Sequence, residues 1–479
     1  MRRYLLIACA LFAVLAVLAV PLAFAGSPGR WDRFSPPTGV NTDEVGLART
    51  ADNVLHVVWR KNGSTQEIWQ TPIAANGTVE ASSAVQTGWA AIGNPAVATS
   101  IDGLTLNAFW GGIRSSSTSD PYQNLNYAYS SNGGAAWTLW PGGTSADGGN
   151  AYLNGLSAAR LSATFFESWG SYVHRGVDTT SPVYHFTAAP TDSCCGYDAN
   201  IAADQASGSV LVAWYSNQSG YEGVWTQSID PATGQPLGTP ARMPRSATTY
   251  HGALHAGAQL ARTPLVARLD ARGFAVAYPG GYPTTTRALV WRVGTKRAIL
   301  AGTATGGVRN VGLAAAPGGR VWVFWSQSAR GGPVIVARRS NADVTAFGPP
   351  LTIAVPKGTT DVWKLDGDGQ AGVLDLIASL GGGGGIANWH TQILPALSVN
   401  PSRGSLSRSG RTRLVVTVMD AGAPIRGAKV KDGGTSAKTD RSGRATLTLG
   451  PFSRRARTTS VRVSAPGYAD TTFALRLTR

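Results

Sequence analysis

Glutamate is almost missing from this chain. Five occur in 479 residues, Glu44, Glu67, Glu80, Glu167 and Glu222, and lysine is nearly as rare at seven. Without these strong helix formers, and with 59 glycines, helical bundles and coiled coils are excluded. Cysteine is also scarce: Cys9 lies near the N-terminus, and Cys194 and Cys195 are adjacent. That excludes a disulfide framework and the paired spacing of a zinc ribbon. The six histidines show no ligand pattern, and His251 and His255 fall in a Gly/Ala-rich loop, so no metal site is expected. After the N-terminal segment no apolar run reaches the ~18 residues of a membrane-spanning helix.

The N-terminal segment is the exception. Arg2 and Arg3 precede an apolar run from Leu5 to Val20, and Ala23-Phe24-Ala25 supplies small residues at a cleavage site. Residues 1–25 read as a secretory signal peptide, so the mature protein is expected to be secreted, extracellular or associated with the cell envelope, with no span left after cleavage. Charge divides the rest unevenly. Residues 26–395 carry a net charge of only +2, whereas residues 396–479 carry 16 Lys/Arg against 4 Asp/Glu, a net +12.

What is abundant is Trp, at 15, together with Val, Thr, Gly and Pro, a strand-and-turn composition. A unit of short strands recurs. It pairs a small-residue apolar strand with a stronger one ending in an aromatic residue, as in Val45–Arg49 with Val54–Trp59, Pro95–Ala98 with Leu104–Trp110, and Val311–Ala314 with Val321–Trp325. A third strand follows a variable polar loop, and a polar fourth strand closes the unit. Seven copies begin about 44 to 65 residues apart. Four strands at this period predict an all-β fold, a β-propeller over 30–395 with seven blades, or six if the degenerate third unit is an insertion. The stretch around Trp31 to Phe34 is expected to complete the last blade and cover its edge. The closing aromatics Trp59, Trp110, Trp169, Trp214, Tyr278 and Trp325 are expected to pack between blades.

One turn is more specific. Ser130-Ser131-Asn132-Gly133-Gly134-Ala135-Ala136-Trp137 fits the Asp-box pattern S-x-D-x-G-x-x-W, with Asn132 in the Asp position. On this turn the chain resembles the sialidase-like, BNR-repeat propellers. The resemblance implies the fold, because the box is structural and lies away from the usual site. A sialidase would further need an arginine triad, a Tyr–Glu pair and an Asp acid. The family's Arg-Ile-Pro motif is absent, and Tyr221, Glu222 and Asp198 are the weak catalytic candidates.

Ligands of propellers usually bind at the axial face. Before the first strands stand Asp43, Glu44, Asn94, Asn154, Asp198, Asn200, Thr263, Asn310 and Asp361, an expected polar ring. Its oxygens would suit a polar ligand or Ca²⁺, although no cofactor is required; the plainer alternative is that they satisfy strand-end amides. Arg114, Tyr215 and Tyr282, in loops between second and third strands, are further ligand-binding candidates. Cys194 and Cys195, beside Asp198, form a possible vicinal disulfide.

Residues 396–479 alternate apolar and polar positions, as in Leu414–Val418 and Ala445–Leu449, which predicts a small β-sandwich after a linker from Pro395 to Gly410. The segments Ile425–Val430, Thr439–Ala445 and Ala465–Tyr468 resemble carboxypeptidase-regulatory-like or bacterial Ig-like domains. The expected function is a secreted or surface binding protein. Its propeller face would recognise a glycan, peptide or surface polymer, and its basic sandwich would dock to anionic envelope polymers. A sialidase-like hydrolase and a structural or adhesive protein are the alternatives. Nucleic acid is not an expected partner.

Overall fold

The structure is a computed structural model and describes residues 29–37, 44–115, 125–141, 156–177, 183–185, 196–216, 218–246, 262–280 and 285–479. Strand-rich composition is realised fully: the described elements are all strands, arranged in small antiparallel sheets consistent with a β-propeller. Among the described residues no helix is long and apolar enough to cross a membrane.

Seven four-stranded sheets follow one another between residues 32 and 393. Their first strands are Gly46–Arg49, Ala91–Thr99, Ser157–Leu161, Gly196–Asp204, Leu265–Ala267, Arg309–Ala316 and Thr359–Asp368. Each lies against the first strand of the next sheet, and Thr359–Asp368 returns to Gly46–Arg49, so the contacts form a closed cycle. Small residues permit that approach. A Cβ on Gly46 would meet the Val97 amide nitrogen at 2.8 Å. Asp32–Arg33 pairs with Gly385–Ile393 as the outer strand of the last sheet, so that sheet is built from both ends of the segment.

The core is a series of clusters between neighbouring sheets. Trp89 packs edge-on to Trp110 between the first and second, Phe109 meets Phe165 between the second and third, and Ile377 joins Leu55, Val57 and Trp59 between the last and the first. The recurrent aromatics Trp59, Trp110, Trp169, Trp214, Tyr278 and Trp325 are all buried in these clusters. The cycle is sealed by charge as well as by apolar contact. Arg49 donates to Asp368 at 2.6 Å and to Asp375 at 2.5 Å, and His390 lies 2.9 Å from the other oxygen of Asp375. Burial alone would lower the Arg49 pKa, but the two carboxylates outweigh it and raise it.

The variable polar loop expected before the third strand is replaced by a tight turn in the third unit. Val183–His185 is the fourth strand; the third is Tyr172–Arg175, paired directly with Thr164–Trp169. Gly170, at φ 51°, allows a tight turn where a longer polar loop was expected.

The Asn132 turn lies between the third and fourth strands of the second sheet. The Asn132 side-chain oxygen accepts from the Ala136 amide at 2.9 Å, and Ser130 Oγ accepts from the Gly134 amide at 2.9 Å. Gly134 has φ 83°, and its carbonyl accepts from Gln70 of the first sheet at 2.8 Å. A Cβ there would fall 2.0 Å from the Gln70 amide group, so at this positive φ a larger residue would be strained and would displace Gln70. Asn341 repeats the device in the sixth sheet, accepting from the Thr345 amide at 2.9 Å.

The chain from 396 onward forms two more sheets. One pairs Thr412–Asp420 with Ser398–Pro401, Ala423–Pro424 and Arg444–Leu449; the other runs Ser405–Ser407, Thr471–Thr478, Thr458–Ser464, Lys429–Asp432, Thr435–Lys438. The expected linker is therefore partly strand. Alternate residues of both sheets, among them Leu414, Val416, Leu447, Val430, Val461 and Leu475, share one core. Asp420 joins this region to the sixth sheet: Arg339 donates to it at 2.6 Å, Arg320 lies 3.2 Å away, and the Tyr468 hydroxyl donates at 3.0 Å.

Candidate functional site

The seven first strands surround a cavity of about 350 Å³. The charged residues of its lining are Glu44, Arg160, Arg262, Lys364, Asp366 and Asp368. Arg262 organises one end. Its guanidinium lies 3.1 Å from a Glu44 oxygen and donates to Asp366 at 3.2 Å, to the Leu156 carbonyl at 3.2 Å and to the Val45 carbonyl. Its backbone amide also donates to Glu44. One side chain thus spans from the fifth sheet to the first, third and seventh.

The two acids beside Arg262 are placed differently. Glu44 is buried, accepts from the Arg262 amide and is ion-paired with the Arg262 guanidinium. Asp366 keeps about a third of its side-chain surface open, 34%, and lines the cavity. Burial pushes its carboxyl up to about 6, although the Arg262 charge and the Gly367 amide pull it down. Lys364, buried on the same strand as Asp366, is a further cation of the lining.

The asparagines of the expected ring mostly tie neighbouring sheets together. Asn200 accepts from Ser157 Oγ of the third sheet at 2.5 Å and donates to the Thr263 carbonyl at 2.9 Å. Asn310, at φ 46°, donates to Ser326 Oγ at 3.1 Å and to the Val362 carbonyl of the seventh sheet at 2.5 Å. Both still line the cavity. Asn94 is buried, and Asp361 accepts from its following amide, Val362 N, at 2.8 Å.

Other candidates stand apart. Tyr215 is packed in the core between the fourth and fifth sheets, beside Tyr278 and Met243. Arg114 is exposed beyond the second strand of the second sheet, and its carbonyl accepts from the Ala90 amide. Tyr221 and Glu222 lie between the second and third strands of the fourth sheet; the Tyr221 carbonyl accepts from the Trp225 indole at 2.8 Å, and neither residue lines the cavity. Asp198 belongs to the first strand of that sheet. Asp43, Asn154, Tyr282, Cys194 and Cys195 lie outside the described residues. Among the described residues no three Asp, Glu, His or Cys side chains converge as a metal site.

Sequence reasoning missed Arg262, Lys364 and Asp366. Arg262 precedes a first strand, the very position that singled out Glu44 and Thr263. At that position the other units carry oxygen-bearing side chains, a pattern to which a cation does not belong.

No protein-family profile matches the chain, and no curated protein is similar to it in sequence. Solved structures share its shape loosely. A protein of unknown function from Dyadobacter fermentans is similar at 11% identity and TM-score 0.45 over 76% of this chain and 98% of that one. Hydrazine synthase of Kuenenia stuttgartiensis is similar at 11% identity and TM-score 0.44 over 78% and 99%. An ulvan lyase, representing a new family of polysaccharide lyases, is similar at 11% identity and TM-score 0.42 over 75% and 95%.

Proposed function

We propose that the chain is a secreted or cell-surface binding protein. In this reading the seven sheets are the blades of a propeller, and the two C-terminal sheets are a sandwich. The channel recognises a glycan at the end where Arg262 sits, and the basic sandwich docks to anionic polymers of the cell envelope. The observation that carries the reading is the Arg262 bridge between Glu44 and Asp366 inside a cavity lined by all seven first strands. A fixed guanidinium flanked by carboxylates offers donors and acceptors to sugar hydroxyls in one place. The test is a glycan array probed with the full chain and with Arg262→Ala. Loss of a specific signal in the variant supports the reading. Absence of any signal from the native chain, or binding unchanged by the substitution, overturns it.

A second reading has one observation behind it. Asp366 stays protonated up to about pH 6 while Glu44 is ion-paired, the asymmetry that glycoside hydrolysis demands of two carboxyl groups. Release of reducing sugar by the native chain, abolished in Asp366→Asn and retained in Glu222→Gln, would favour this hydrolase over a binding protein.

A further inference from the structure

We propose that the outer face of the five-stranded C-terminal sheet binds an acidic polysaccharide. The inference rests on the docking reading above and assigns the face and the ligand chemistry. Along these strands the apolar residues turn inward, and the outward positions hold Lys429, Lys431, Lys438, Arg462 and Arg476, all exposed. Register brings like charges together: Lys431 stands directly opposite Arg462, and Lys429 directly opposite Lys438. Side chains so paired have Cβ atoms only ~5 Å apart, and like charges there oppose folding. Asp470 pairs with Arg462; among the described residues no carboxylate pairs with the other four. Asp470 offsets the first pair in part, whereas the Lys429–Lys438 pair has no carboxylate of the chain beside it among the described residues, and an external anion would offset it.

The remaining outward positions choose among polyanions. Thr458, Ser460, Thr472 and Ser436 are exposed hydroxyls on the same face, with Thr458 opposite Arg476, Thr472 opposite Arg462 and Ser436 opposite Lys431. Same-face neighbours lie ~6.6 Å apart along a strand and ~4.8 Å across strands. Cations and hydroxyls therefore alternate on a grid that an extended polymer of acidic sugars can follow. The face has no aromatic ring on which a base could stack, since Phe473 packs against the core. Ala474 is its one apolar outward residue on the two longest strands, too little to enter a membrane. The outer face of the sister sheet is the internal contrast: Arg413 stands opposite Thr448 and Arg444 opposite Thr417, with no like-charge pair.

The test uses the full chain and polygalacturonate as the probe. Lys429→Glu with Lys431→Glu is compared with Arg413→Glu with Arg444→Glu, an equal change in net charge. The first variant is expected to lose roughly tenfold in affinity and the second less than about threefold. Because each first-set reversal faces a remaining cation, its Tm should hold or rise, which separates lost binding from lost folding. Equal losses in both variants overturn the face assignment while leaving general electrostatic docking intact. No retention of the native chain at low salt overturns both. Tighter binding to phosphatidylserine vesicles or single-stranded DNA than to polygalacturonate overturns the ligand class.

Discussion

Between residues 44 and 393 several charges are buried and matched, whereas beyond residue 396 most stand outward. Arg49 is 3% exposed and held by two carboxylates across the closing seam; Lys431 is exposed and opposes Arg462. A buried charge must be compensated locally, so those of the first region act on the fold and the channel. An exposed charge is cheap to keep, and its field reaches well beyond the surface. Asp420 shows the exception that joins them. It is a C-terminal carboxylate, 1% exposed, matched by two arginines of the sixth sheet.

The contrast is broken most strongly at the seam. Arg49→Met leaves Asp368 and Asp375 buried without their cation, and should destabilise the protein by about 3–5 kcal/mol in denaturant unfolding. A loss below about 1 kcal/mol would mean that the seam is held by apolar contact alone. Next comes the joint between regions. Asp420→Ala should cost about 3 kcal/mol and split one thermal transition into two, because Arg320, Arg339 and Tyr468 lose their shared acceptor. A single unshifted transition would show that the regions are coupled elsewhere.

A smaller and pH-dependent effect is expected in the channel. The folded-state pKa of Asp366 is raised to about 6, above its ordinary value near 3.8, so the folded state holds its proton more tightly than the unfolded chain. That contribution to stability is present at low pH and is lost as pH rises from about 4 through about 6. Asp366→Asn should therefore raise Tm relative to the native chain at pH 8 and match it at pH 4. An advantage that is constant with pH would show that Asp366 does not titrate in this window. The smallest effect belongs to the exposed face: Lys431→Glu alone should change stability by only a few tenths of a kcal/mol, in the favourable direction.

Much of the fold was legible because its cause is local. Strand, turn and aromatic recur within each unit, and the Asn132 turn uses a short polar side chain and glycines at positive φ that sequence alone displays. The short connection in the third unit also has a local cause, a turn at Gly170 where the repeat suggests a longer loop. The candidate site was less legible. Glu44, Asn200 and Asn310 were found because they precede or begin first strands, yet the two asparagines spend their bonds between sheets. Tyr215 was chosen for its loop-end position, but strand alternation turns it into the core between sheets.

The sequence by itself determined strand periodicity and the concentration of positive charge after residue 396, because each is a property of neighbouring residues. Tertiary structure alone decided which distant groups meet. Arg262 reaches Glu44 and Asp366 across 218 and 104 positions, and Arg49 reaches Asp375 across 326. Such pairings arise only when the cycle of sheets closes and burial forces each charge to find its partner.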